Sequence, residues 1–86
     1  MTRYARATGV LWRLADDRVL VRRAGDPATA MEAVLHGATA VVWLALDGPR
    51  SEDELCTELA AAGSTAPGSD VAAALAILCD HRLVET

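Results

Sequence analysis

Residues 38–47 read ATAVVWLALD, and residues 48–54 read GPRSEDE. Ala38, Val41, Val42 and Ala45 fall at helical spacing, with Leu44 and Leu46 beside them. A helix that is apolar nearly all round is a buried one, so 38–47 is expected as the central helix of a core. The β-branched pair Val41-Val42 is a weak helix former, so burial must supply the stability. Gly48-Pro49 stops the segment, with Gly at the C-terminal cap and Pro just beyond. Ser51-Glu52-Asp53-Glu54 then forms a capping box. Ser51 can accept from the amide three residues on, and Glu54 can reach back to the Ser51 amide. Glu52 and Asp53 add negative charge where a helix N-terminus favours it. Leu55, Leu59 and Ala62 mark one face of a second helix over 52–62, ended by Gly63.

Beyond it, Ser64–Ser69 reads as a loop containing Pro67-Gly68, with Ser69 or Asp70 capping a last helix over 70–81. Val71, Ala74, Leu75 and Leu78 recur there at i, i+3, i+4 and i+7. Arg82–Glu85 is a short tail. On the N-terminal side, residues 1–9 lack periodicity and read as a flexible arm. Two β-rich runs, 10–14 and 18–22, flank Asp16-Asp17 and predict a hairpin. If Val19 and Val21 face inward, then Arg18, Leu20 and Arg22 face out. Gly25-Asp26-Pro27 is a break. After it, Met31, Ala33 and Leu35 alternate with Ala30, Glu32 and Val34, which predicts a third strand over 29–35, although Ala, Met and Glu favour helix. His36-Gly37 interrupts it. The expected architecture is α+β and winged-helix-like: a three-stranded antiparallel sheet followed by a three-helix bundle, in one domain over 10–86.

Composition narrows the functions. With 86 residues there is room for one small domain. A hydrophobic fraction of 52% excludes a disordered tail. The apolar runs Ala40–Leu46 and Val71–Cys79 fall far short of the ~20 residues of a membrane span. Met1-Thr2-Arg3-Tyr4 meets no apolar signal core, so cytoplasmic residence is expected. Tyr4, Trp12 and Trp43 are the only aromatics, too few for a base-stacking platform. The net charge of −4 argues against a dedicated nucleic-acid binder. That charge is uneven. Residues 1–23 carry six Arg against two Asp, a net +4, and residues 24–86 carry two Arg against ten acids, a net −8. The basic part reads either as a solvated Arg-bearing sheet face or as a surface that attracts an acidic partner segment.

Chemistry-bearing residues are sparse. Cys56 and Cys79 sit beside core positions and are expected as small buried hydrophobes. No CxxC pair, HExxH or glycine-rich phosphate loop occurs, and His36 and His81 are isolated. Asp16-Asp17 reads as a turn, and Glu52, Asp53 and Glu54 as helix-cap residues. No catalytic residue, metal or cofactor is expected.

The order of elements and several residues resemble the PqqD-like family, the RiPP recognition elements. The similar stretch runs through Val19-Leu20-Val21, then Leu35, Gly37-Ala38, Val42-Trp43 and Leu46-Asp47-Gly48. It continues through Ser51, Glu54-Leu55 and Leu59, and ends with Asp70-Val71, Leu75, Leu78 and Leu83-Val84. His36 stands where the family often has Asn, and Arg82 where Gly commonly precedes the final apolar pair. The resemblance implies a non-catalytic module that binds the leader of a ribosomally made precursor peptide. In this size class that is the leader-binding protein of lasso-peptide biosynthesis. It would present the leader to a separate cysteine-type leader peptidase, with a cyclase acting next. The family places the leader as an added strand between the third strand and the third helix. Here those are Thr29, Ala30, Met31, Glu32, Ala33 and Val34, facing Val71, Ala74, Leu75 and Leu78. The alternatives are a chaperone for a radical-SAM peptide-modifying enzyme and a winged-helix transcription regulator. The last helix carries no Arg or Lys, unlike a recognition helix.

Overall fold

In the computed structural model, residues 2–25 and 33–86 are described. Nine elements follow in order: β1 (Arg3–Arg6), β2 (Val10–Ala15), β3 (Arg18–Arg23), β4 (Ala33–His36), α1 (Ala38–Ala45), β5 (Arg50–Ser51), α2 (Glu52–Ala61), α3 (Pro67–Asp80) and β6 (Val84–Glu85). The fold is α+β, with an antiparallel sheet ordered β2-β3-β4 and three helices. Thr29–Glu32, the first part of the expected third strand, lies outside the described residues.

The hairpin forms as the alternation requires. Ala15 pairs with Arg18, leaving Asp16-Asp17 as a two-residue loop. Asp16 takes a φ of 43°, the left-handed value such tight turns demand and one that Asp tolerates. Val19 and Val21 point inward and are fully buried, with Leu35 of β4 beside Val19. They meet Val42, Trp43 and Leu46 of the α1 region, Leu55 and Leu59 of α2, and Val71, Ala74, Leu75 and Leu78 of α3. Gly37 turns the chain from β4 into α1 at φ 61° and ψ −141°, a conformation open in practice to glycine alone.

Three expectations are corrected. The arm over 1–9 contains β1, which pairs with β5 (Arg3 with Ser51, Tyr4 with Arg50) and with β6 (Ala5 with Glu85, Arg6 with Val84). Its partners lie more than forty residues away in the chain, so local pattern could not reveal it. The last helix starts at Pro67, not residue 70. Pro at the first helical position needs no amide partner and has its φ preset. Asp70 therefore lies inside the first turn, where its carboxylate accepts the Ser64 hydroxyl at 2.6 Å. The first helix ends at Ala45, with Leu46 rather than Gly48 as its C-cap.

Both longer helices close with the same backbone device. After α2, Gly63 and Ser64 donate to the carbonyls of Ala60 and Leu59. After α3, Arg82 and Leu83 donate to those of Cys79 and Leu78. This motif wants a left-handed residue at its turn. Gly63 supplies it at φ 99°, whereas Arg82 holds it at 56°. The cost at Arg82, about 1 kcal/mol for an L-residue in that region, is met by what surrounds it. Leu83 buries against the core, and the Arg23 guanidinium donates to the Arg82 carbonyl.

The capping box is present in full: the Glu54 amide donates to Ser51 Oγ at 3.2 Å, and the Ser51 amide to Glu54 Oε1 at 3.0 Å. The Ser51 amide bond, ahead of the smaller effects of the Ser51 hydroxyl, Arg3 and Arg50, holds the Glu54 carboxyl below its ordinary range. Because the folded value lies below the unfolded one, this stabilisation is complete above the unfolded value. It is lost as pH falls through the folded value. Ser51→Ala should destabilise by about 1 kcal/mol, lowering Tm by about 4–8 °C. Glu54→Gln keeps an acceptor for the Ser51 amide but cannot titrate, so its stability should fall less on acidification than that of the parent. Thermal melts at neutral and acidic pH check both.

Candidate functional site

The β2-β3-β4 sheet has two outer strands. β4 pairs with β3 through Arg18–His36, Val19–Leu35, Leu20–Val34 and Val21–Ala33, and no described strand pairs with its other side. Alternate residues of an antiparallel strand aim their N–H and C=O groups at opposite neighbours. Ala33 and Leu35, or else Val34 and His36, therefore present backbone groups to the open edge. Val34 is exposed and Ala33 half-buried. Of the residues expected to hold a leader peptide, these two are described on the strand side; Thr29, Ala30, Met31 and Glu32 are not described.

The helical half of that expected site is buried in the free chain. Val71, Ala74, Leu75 and Leu78 are core residues, none more than 5% exposed. Their i, i+3, i+4, i+7 spacing makes one continuous stripe, and α3 packs against α1, α2 and β6. The side of α3 turned to solvent carries Ala72, Ala73, Ala76, Ile77, Cys79 and Asp80. Cys79 is exposed and Cys56 half-buried, so only Cys56 approaches the expected role of a buried hydrophobe.

Local pattern gave no hint of Arg6. From β1 its guanidinium reaches the carbonyl end of α1, donating to the Trp43 carbonyl through Nη2 at 2.8 Å and Nε at 3.1 Å, and to the Leu44 carbonyl at 3.3 Å. α1 has no basic residue in its own last turn, so Arg6 supplies the charge that a helix C-terminus favours. The same guanidinium lies 4.6 Å from the Trp12 ring centre and 5.2 Å from that of Trp43. The two rings meet edge to face at 6.2 Å. Desolvation pushes the guanidinium below its ordinary value, and Asp47 opposes the shift. Trp43 is fully buried, and its indole N–H has no partner among the described residues.

At the hairpin tip, the Arg18 side chain donates to Asp17 at 3.1 Å. That bond, with the attraction between the charges, holds the Asp17 carboxyl below its ordinary range. A cleft of about 520 Å³ opens below the tip, floored by Ala38, Val41, Leu44, Leu59 and Ala62 and rimmed by Asp16, Asp17, Arg18 and Asp70. No described cluster of three His, Cys, Asp or Glu side chains is arranged to hold a metal ion. No helix of the described residues is long and apolar enough to cross a membrane.

Comparison with known proteins found no matching family model, no matching curated protein and no matching solved structure.

Substitutions at two positions check this arrangement. Leu78→Arg should unfold the domain, because an unpaired charge in the core costs several kcal/mol; loss of helical circular dichroism is the readout. Arg6→Ala should destabilise by about 2 kcal/mol, from the lost bonds to two carbonyls and the lost ring contacts. Arg6→Lys should recover only part of this, since an ammonium lacks the planar fork. Urea unfolding followed by tryptophan fluorescence measures both, with Trp12 and Trp43 as the reporters.

Proposed function

We propose that this chain is a non-catalytic recognition module. It binds the leader segment of a ribosomally made precursor, that of a lasso peptide, as a strand added to the open edge of β4. It then presents the leader to a separate cysteine-type leader peptidase, with a cyclase acting next. The observation that carries this reading is the position of β4: a short outer strand, paired on one side, in a sheet backed by a complete core. An open edge gives a peptide backbone its hydrogen bonds, and side chains along it give selectivity. The resemblance to PqqD-like recognition elements names the ligand class and the third strand as its seat.

The burial of Val71, Ala74, Leu75 and Leu78 changes how the leader is held in this reading. Backbone pairing along β4, with Val34 on its exposed side, supplies the contact, and the stripe on α3 belongs to the core. No metal or cofactor enters, and the module acts in the cytoplasm beside its enzymes. A radical-SAM enzyme as the receiver would use the same edge. A DNA-reading role is disfavoured by the solvent side of α3, which carries Ala, Ile, Cys and Asp and no cation.

A pair of proline substitutions tests the edge. Ala33 and Val34 are neighbours, so one amide points to β3 and the other to the open side. Proline removes a donor N–H. One of Ala33→Pro and Val34→Pro should therefore lower stability, and the other should leave the fold intact while abolishing binding of the labelled cognate leader, read by fluorescence anisotropy. The parent chain should bind that leader and leave it uncleaved. Absence of saturable binding by the parent, or unchanged binding by both folded variants, overturns the proposal.

A further inference from the structure

Leu14 is more exposed than its side of the sheet explains. It pairs with Val19 across the hairpin, and directly opposed residues of antiparallel strands share one face. Val19 is fully buried on that face, yet Leu14 is 61% exposed. Leu14 borders the cleft of about 520 Å³, which also takes in Gly37, Ala38, Ala62 and Gly63, residues too small to cover a leucine. The apolar surface continues along α1. Val41 and Leu44 line a neighbouring hollow with Ala45, Ala61 and Ala62, and Leu44 is 38% exposed. Ala38, Val41 and Ala45 recur at i, i+3 and i+7, a half-buried stripe on α1 beside the end of α2.

The rim is acidic. Asp16 and Asp70 border the cleft, and Glu58 borders the hollow. Arg18 is the one cation lining either among the described residues, and its ion pair with Asp17 offsets both charges. Asp70 accepts the Ser64 hydroxyl, a neutral donor that leaves its charge in place. Asp16 and Glu58 make no ion pair or side-chain hydrogen bond among the described residues.

We propose that this cleft seats an amphipathic helix of another protein, one whose apolar face is bordered by Lys or Arg. The argument is complementarity. An open apolar strip takes apolar anchors, and carboxylates without counter-ions along it select cations beside those anchors. A helix suits the place because its own backbone groups are paired internally, so it can lie on a floor of helix side chains. The alanines at 38, 45, 61 and 62 let it approach closely, and the α1 stripe has the three-and-four spacing into which a second helix packs. A second copy of this chain supplies no such helix, since α1, α2 and α3 contain no Lys or Arg. An anionic lipid surface is repelled by the same carboxylates. No residue of β4 lines the cleft or the hollow, so the site stands apart from the proposed leader edge.

The test titrates the isotope-labelled full chain with a capped peptide of Leu and Lys in a helical repeat. Parallel titrations use a Leu–Glu peptide of the same repeat, a strand-forming peptide of alternating Leu and Lys, and vesicles of anionic lipid. The expected result is saturable binding of the helical Leu–Lys peptide alone. Amide shifts should centre on Leu14, Ala38–Ala45 and Ala61–Ala62, and binding should weaken as salt is raised. Leu14→Ser should weaken it about fivefold or more, through loss of an anchor contact. Asp16→Asn with Glu58→Gln should weaken it about threefold or more. Asn tolerates the left-handed conformation at position 16, so the turn is kept. Circular dichroism should match the parent for both; if Leu14→Ser alters the fold, Ala61→Gln, which fills the hollow from an exposed helix position, carries the contact test. Leader binding at β4 should survive these changes, so the two proposals fail separately. No saturable binding, equal binding of the Leu–Glu or strand-forming peptide, preference for vesicles, shifts confined to other surfaces, unchanged binding by the folded variants, or self-association through Leu14 and Leu44 in sedimentation would each overturn the proposal.

Discussion

The fold turns on one cation. α1 is eight residues long, apolar on all sides, and brings no charge of its own to its carbonyl end. Such a helix is stable only if its end is satisfied and its sides are covered. Arg6 meets the first need by donating to the carbonyls of Trp43 and Leu44, and it helps meet the second by lying against Trp12 and Trp43. The geometry joins three parts that are distant in sequence. β1 carries the guanidinium, β2 carries one ring, and α1 carries the other ring and the acceptors. β1 is itself held by β5 on one side and β6 on the other, so the start of α2 and the end of the chain are tied to the same point.

That linkage explains how so small a domain closes. Of the three described helices, only α2 has a side-chain cap, the Ser51–Glu54 box. α3 relies on Pro67 at its start and on the turn through Arg82 at its finish. At that turn Leu83 buries beside Leu78, which holds a non-glycine residue in the left-handed region. The Arg23 guanidinium then reaches the Arg82 carbonyl from the end of β3. Arginines from the basic N-terminal strands thus answer backbone carbonyls at the ends of two helices. Part of the uneven charge is therefore structural.

What the sequence disclosed follows the range of the interactions. The hairpin, the capping box, the Gly63 stop and the inward Val19 and Val21 are set by neighbours within a few residues, and each was legible. β1 was not, because Arg3-Tyr4-Ala5-Arg6 has no apolar alternation and its partners are near positions 50 and 84. The start of α3 was misplaced because Pro67-Gly68 was read as a loop signal, although Pro is also a favoured first residue of a helix. The candidate site divided in the same way. The strand side rested on alternation and on the resemblance, and Ala33 and Val34 do lie on an outer strand. The helix side rested on the resemblance, and Val71, Ala74, Leu75 and Leu78 are buried in the core. Periodicity shows that a helix buries a face and does not show what lies against it.

The edge of the sheet and its outward face differ in the kind of group they offer. The edge of β4 presents backbone N–H and C=O, which any extended chain can use, so selectivity must come from elsewhere. The outward face of β2 and β3 presents side chains, Leu11, Arg13, Leu20 and Arg22, and forms no ladder. An open strand edge is also a liability, since it can pair with the edge of another copy. Here β4 is only four residues long, and arginines interleave the leucines on the adjoining face. Like charges on two such faces oppose their stacking. A strand added at β4 would extend the sheet sideways in its own plane and leave the Leu11–Arg22 face uncovered.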